Sequence, residues 1–248
     1  MDLTIVGCSG SFPGPDSASS CYLVEADGYR LVIDLGNGAL GPLQRYVALE
    51  EVDAVCLSHL HADHCLDMCA YHVFRTYHPQ GPLPRIPVYG PPDSTGRLDR
   101  AAGQESSESM AARFDFLPLT PGTIEIGPFS VTTRHMSHPV ETFGFRLAHN
   151  GKTLAYSADT GPADALIELA RDADVLLCEA SFPDTDGLPP GLHLTGRQAG
   201  EHAARAGARE LIVTHLVPWN SREQVSGEAA DAFTGPVSLA VPGARVPI

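Results

Sequence analysis

Six residues constrain this chain most: His59-Leu60-His61-Ala62-Asp63-His64. They follow directly on residues 52–57, an apolar run that reads as a buried strand. His59 and His61 stand two apart at that strand end. Neutral imidazole is the commonest metal ligand, and two such rings on a short turn converge on one ion. Asp63 and His64 are adjacent, at the start of a helix predicted over 63–77, and point a different way. One turn thus supplies ligands to two neighbouring metals. Ions about 3.5–4 Å apart lower the pKa of a water and clamp both oxygens of a displacement. Three histidines and an aspartate in six residues, directly after a buried strand, argue against a solvated polar loop.

The rest of the chain must place further ligands beside that turn. Residues 3–6, 21–25 and 30–34 read as strands, with Asp27-Gly28 as a hairpin turn. Residues 37–49 read as a helix, 86–89 as a strand and 91–102 as a helix. Strands are predicted over 123–126, 129–134, 142–147, 153–157, 175–178, 211–214 and 237–241. Helices are predicted over 163–171, from Thr195 to Ala206 behind a capping box, and over 222–233. Hairpins mixed with β–α units in each half predict an α/β (α+β) fold. Two sheets pack together with helices outside, in one domain over 1–248. The polar stretch 103–112 reads as a mobile loop, with a helix as the alternative.

Several strand ends carry the residues a dinuclear centre needs. His138 follows the strand 129–134, with His135 as a rival three residues earlier. Asp159 follows the strand 153–157, and its two oxygens suit a bridge between cations. His215 ends the strand 211–214. The carboxyl ends of strands are where α/β folds build sites. Glu179 ends the apolar strand 175–178, and His193 precedes a helix. A carboxylate orients an imidazole and supports its protonated form, so this pair reads as an acid/base device. His72, His78, His149 and His202 have no such placement and read as surface or packing residues.

Charge narrows the substrate. The formal net charge is −14, with fifteen Arg and one Lys among 248 residues. Non-specific nucleic-acid binding rests on Lys and Arg, so a stable nucleic-acid partner is not expected. Arg134, Arg146, Arg197 and Arg222 are candidate phosphate contacts, each with a surface ion pair as the plainer role. No basic segment followed by a 7–15-residue apolar run opens the chain, and no stretch approaches the roughly 20 apolar residues of a membrane span. A cytoplasmic location is the expectation. The six cysteines have no disulfide-scaffold spacing, and Cys65 and Cys69 read as packing residues rather than a metal or redox pair.

In order along nearly the whole chain, these motifs resemble the metallo-β-lactamase superfamily, in particular the branch of ribonuclease Z and related phosphodiesterases. Gly7-Cys8-Ser9-Gly10-Ser11-Phe12-Pro13 is similar to that branch's opening Gly-rich loop, and Ile33-Asp34-Leu35-Gly36 to its first-motif aspartate. His59 to His64 is similar to the signature motif. His138 with Phe143-Gly144-Phe145-Arg146 resembles the third motif, which selects His138 over His135. Ser157-Ala158-Asp159-Thr160, Glu179-Ala180-Ser181-Phe182, His193-Leu194-Thr195 and Thr214-His215 resemble the remaining motifs.

The resemblance implies an αββα sandwich and two divalent ions. Zinc is first by the N/O donor set, with manganese, iron or cobalt as alternatives. It implies one metal on His59, His61, His138 and Asp159, and the other on Asp63, His64, Asp159 and His215. Asp63 would also orient the attacking water. His193, supported by Glu179, would protonate the leaving oxygen or stabilise the transition state. The expected function is a phosphodiesterase for a small nucleotide such as a 3′,5′-cyclic nucleotide, and dimers are frequent in the branch. The alternatives are tRNA 3′-end processing and hydrolysis of a non-phosphate ester, lactone or thioester. tRNA processing calls for a long basic arm after the third-motif histidine, and only twenty residues separate His138 from Asp159. A binding module would be expected only if ligands were missing, and none is.

Overall fold

Strands whose two faces are both apolar need cover on both sides, and this chain provides it by folding twice in the same manner. The structure, a computed structural model, describes residues 1–103, 109–185 and 187–248. In the first half, β1 (Asp2–Gly7), β2 (Cys21–Ala26) and β3 (Tyr29–Ile33) form an antiparallel meander. The chain then passes α1 (Leu40–Leu43), β4 (Ala54–Cys56), α2 (Ala62–Cys65), α3 (Met68–Thr76), β5 (Ile86–Gly90), α4 (Ser94–Ala102) and β6 (Phe114–Pro118). From β3 onward these strands pair in parallel.

The second half repeats the scheme. β7 (Gly122–Ile126), β8 (Phe129–His135), β9 (Phe143–His149) and β10 (Lys152–Tyr156) are antiparallel. Then α5 (Asp164–Leu169), β11 (Val175–Glu179), α6 (Gly196–Ala206), β12 (Leu211–Thr214), α7 (Arg222–Ala232) and β13 (Val237–Leu239) extend the sheet in parallel. Finally β14 (Arg245–Pro247) returns to the open edge of β1. The sheet orders are β14-β1-β2-β3-β4-β5-β6 and β13-β12-β11-β10-β9-β8-β7.

Strand periodicity sorts the side chains into three apolar layers. Leu3, Ile5, Tyr22, Val24, Leu31 and Ile33 meet Val131, Phe143, Phe145, Leu147, Leu154 and Tyr156 between the sheets. The alternate residues Leu23, Val32 and Val55 join Met68, Tyr71 and Leu98 from the helices of the first half. Ala155, Leu176 and Val213 join Leu166, Ala199, Ala203 and Ala229 on the other side. The fold is an αββα sandwich of the metallo-β-lactamase type.

Two Gly turns act as their chemistry requires. Asp27-Gly28 and Asn150-Gly151 both hold positive φ at successive residues, which matches the twist of the hairpins they close. Other elements depart from expectation for physical reasons. The helix expected over 37–49 shrinks to α1, because Gly38, Gly41 and Pro42 weaken it. The helix expected over 63–77 divides, because the Asp67 amide turns away to Leu35 O (3.1 Å) and the Asp67 carboxylate accepts from Leu40 N (2.8 Å). The strands β6 and β14 were not expected. Of the loop expected over 103–112, residues 104–108 lie outside the described residues; Met110–Ala112 form a 3-10 turn whose start is tied to Asp99. Among the described residues, no helix is long and apolar enough to cross a membrane.

The turn after β3 sits hard against the histidine run. A Cβ on Gly36 would lie 2.0 Å from the Asp63 carbonyl oxygen, so nothing larger than glycine fits without moving that turn. Gly36→Ala is expected to destabilise the protein by roughly 1–3 kcal/mol, read as a lower denaturation midpoint; an unchanged midpoint would show that the turn has room to move.

Candidate metal centre

The residues singled out above come together where strands from both sheets end. β4 delivers His59 and β12 delivers His215; Asp159 lies three residues beyond β10, and His138 three beyond β8. Ser11, Asp34, Ala158 and His215 all adopt positive φ, a conformation that costs a non-glycine residue about 1–2 kcal/mol. Each stands at or next to a group described below. Strain of this kind persists only where the surroundings fix it, and it clusters at working sites.

Two ligand sets share one carboxylate. His59, His61, His138 and Asp159 present atoms within 4.8 Å of one another, and so do Asp63, His64, Asp159 and His215. In the first set His59 Nε2 and His138 Nε2 lie 3.0 and 3.2 Å from His61 Nδ1. In the second, His64 Nε2 lies 3.1 Å from His215 Nε2 and 3.1 Å from Asp159 Oδ1, while His215 Nε2 lies 3.1 Å from Asp63 Oδ2. Ligands 2.0–2.1 Å from one ion in a tetrahedron stand roughly 3.3 Å apart, so the spacing suits metal ligation.

The outer nitrogens fix the tautomers. His64 Nδ1 donates to Asp34 Oδ2 (2.8 Å), His138 Nδ1 to Leu192 O (3.0 Å) and His215 Nδ1 to Ser181 Oγ (2.7 Å). Ser58 Oγ donates to Asp34 Oδ2 (2.8 Å), so the 3.1 Å contact beneath it is His59 Nδ1 donating to Ser58 Oγ. With Nδ1 spent outward, Nε2 of each ring faces the centre. Burial holds the His59, His61 and His138 imidazoles below their ordinary values, so these rings are neutral. Lone pairs on neutral rings 3 Å apart call for a cation between them.

The second set is held by charge, with the His64 imidazole and the carboxylates around it stabilising one another. Burial pulls the His64 imidazole down, yet Asp159 and Asp34 hold it well above its ordinary value. Burial pushes the Asp63 carboxyl up, and hydrogen bonds from His215 and His64 more than reverse that. Asp159 is likewise held far below the carboxylate range, against burial, by His215, His64 and His59. Its Oδ1 is buried and, although His64 Nε2 lies 3.1 Å away, accepts no well-aligned hydrogen bond among the described residues, a place that a cation would satisfy. The donor chemistry fits divalent metal ions.

Glu179 and His193 lie beside the shared carboxylate. His193 Nδ1 donates to Glu179 Oε1 (2.8 Å) and lies 4.0 Å from Asp159 Oδ2. The ring stands 5.5 Å, centroid to centroid, from both His138 and His215. Glu179 is wholly buried and also accepts from Thr160 N, Ser181 N and Ser181 Oγ. Burial pulls the His193 imidazole down, but Glu179 outweighs it and the group is pushed up to about 9. A cavity of about 300 Å³ lined by Leu60, His61, Pro91, Asp93, Arg97, Val140 and Glu141 adjoins the first ligand set.

Other expectations resolve differently. His135 stacks on Phe143 at 4.7 Å and is absent from both ligand sets. Arg146 donates to Leu169 O and Arg171 O, Arg197 to Asp184, Arg222 to Ala240 O and Arg134 to Thr133 O; these are structural bonds. Cys65 is buried in the core of the first half, and Cys69 is half-buried against it. Asp34 was matched to the first-motif aspartate and Ser181 lay within the Glu179 motif, but neither was given a role, and Ser58 and Tyr156 were not singled out as site residues. Tyr156 Oη donates to Asp34 Oδ2 (2.9 Å) and Ser58 N to Asp34 Oδ1 (2.7 Å), so Asp34 ties both sheets to His64. The first-motif match at a strand end was the signal for Asp34. Asp34→Asn is expected to weaken metal binding about 10–100-fold, measured by competition with a chromophoric chelator. Equal affinity would remove Asp34 from the support of His64.

Comparison with known proteins agrees with this geometry. The model of the β-lactamase superfamily domain matches residues 29–216. The chain is 46% identical over 244 residues to the uncharacterized protein Rv1339 of Mycobacterium tuberculosis, covering 96% of this chain and 89% of that one. It is 33% identical over 247 residues to the probable metallo-hydrolase YhfI of Bacillus subtilis, covering 98% of each. The crystal structure of YhfI superposes with a TM-score of 0.87 over 99% of this chain and 98% of that one. Ribonuclease Z of Thermobifida fusca is 26% identical over 312 residues, covering all of this chain and 94% of the relative. The chain belongs to the β-lactamase superfamily and is a metal-dependent hydrolase of the metallo-β-lactamase fold.

Proposed function

We propose that the chain is a two-metal phosphodiesterase acting on a small nucleotide such as a 3′,5′-cyclic nucleotide. The observation that carries this reading is the Glu179–His193 pair beside the two ligand sets. A phosphodiester expels an alkoxide from a centre that gathers negative charge, and a cationic imidazole at that place serves both needs. Two divalent ions, zinc by the donor set, would polarise the phosphoryl oxygens and activate the attacking water.

The residues then divide the work. His59, His61, His138 and Asp159 would hold one ion, and Asp63, His64, Asp159 and His215 the other. Asp63 Oδ2, which accepts from Ser11 N (2.9 Å), would also orient the attacking water. Glu179 holds Nδ1–H of His193, which leaves Nε2–H to donate to the leaving oxygen. The adjoining cavity is at the small end of ligand pockets, about 300–1,000 Å³, which supports a small substrate.

Phosphodiester chemistry also fits a relative named as a ribonuclease. A tRNA substrate is disfavoured on a local ground. Between His138 and Asp159 the chain is occupied by β9, the Asn150-Gly151 turn and β10, with no room for a gripping arm. The ribonuclease alignment also runs over 312 residues against the 248 of this chain, so that relative carries segments without a counterpart here.

The metal-loaded protein is expected to hydrolyse bis-p-nitrophenyl phosphate and a 3′,5′-cyclic nucleotide. His193→Ala is expected to keep its metal content and lose turnover about 10²–10⁴-fold. Full turnover in that variant would remove His193 from the mechanism. Inactivity of the wild type across phosphodiesters, with activity on a lactone or thioester, would replace this reading with the ester one.

A further inference from the structure

Trp219 is the chain's sole tryptophan, and 75% of its surface is open to solvent. Its ring meets that of half-buried Phe12 at 4.8 Å between centroids, tilted by 42°. Tryptophan usually buries its large apolar face, so an indole this open on a stiff support is suited to receive something flat.

The support is stiff, and it belongs to the metal centre. Trp219 lies between His215 and Asn220, and both of these are fastened to Ser181. His215 donates to Ser181 Oγ, and Asn220 Nδ2 donates to Ser181 O (2.6 Å). Asn220 N closes the turn onto Val217 O (2.9 Å). Phe12 follows Ser11, whose amide binds Asp63 Oδ2 (2.9 Å). Gly10 N joins the two loops by donating to Leu216 O (3.0 Å). The two rings therefore sit on the same loops that fix Asp63 and His215, the ligands of the second set.

We propose that Phe12 and Trp219 form a stacking platform for the planar heterocycle of the substrate, while its phosphoryl group lies at the ligand sets. The proposal rests on the phosphodiesterase reading and adds the nucleobase as the group selected. Aromatic faces hold bases of any sequence through stacking, so the platform favours nucleotides over alkyl phosphodiesters without choosing among bases.

Because Trp219 is the only indole, its fluorescence reports the platform directly. Titrating the metal-loaded protein with a nucleoside 5′-monophosphate is expected to quench that fluorescence saturably, and ribose 5-phosphate to leave it unchanged. Trp219→Ala is expected to lower the kcat/KM preference for a cyclic nucleotide over a dialkyl phosphodiester about tenfold, chiefly through KM, and Trp219→Phe to recover most of it. Equal responses to the two ligands, with an unaltered preference in Trp219→Ala, would overturn the platform even if phosphodiesters are cleaved. Saturable quenching in a protein that cleaves no phosphodiester would uphold the platform and reject the activity. A Trp219→Ala variant whose only change is its oligomeric state would overturn the proposal in favour of contact between copies.

Discussion

Imidazole nitrogens packed 3.0 to 3.2 Å apart around shared carboxylates call for cations between them. The rest of this structure is arranged around that constraint. His59, His64, His138 and His215 each spend the outer nitrogen on a fixed acceptor, so the inner nitrogen cannot turn away. His61 alone presents Nδ1. The fold holds these rings in place with two packed sheets, because a rigid strand end keeps that spacing better than a loop would.

Asp34 shows how closely fold and site are joined. It stands after β3 at positive φ and gathers Ser58, Tyr156 and His64 around one buried carboxylate. Tyr156 belongs to the second sheet and Ser58 to the first, so this residue links the sheet packing to ligand geometry. Ser181 plays a similar part on the other side, touching Glu179, His215 and Asn220. Through it the Glu179–His193 pair, the candidate ligand His215 and the loop of Trp219 share one support.

The clustering of the candidate ligands was legible in the sequence because they fall at the ends of apolar strands, and because His59 to His64 compresses four of them into one turn. The sandwich was legible from hairpins followed by β–α units in each half. The supports were not. Asp34, Ser58, Tyr156 and Ser181 meet only because two sheets pack, and no local period records that meeting. The strand β14 escaped for a related reason: Arg245–Pro247 is short and largely exposed, and it exists by pairing with the edge of β1. The break between α2 and α3 depends on a distant carbonyl, Leu35 O, which captures the Asp67 amide.

Two ligand sets joined by Asp159 are expected to bind two ions at once. The most direct measurement is the metal content of the protein after zinc saturation and removal of unbound metal, by elemental analysis. Close to two ions per chain are expected. One ion per chain, or none, would contradict it.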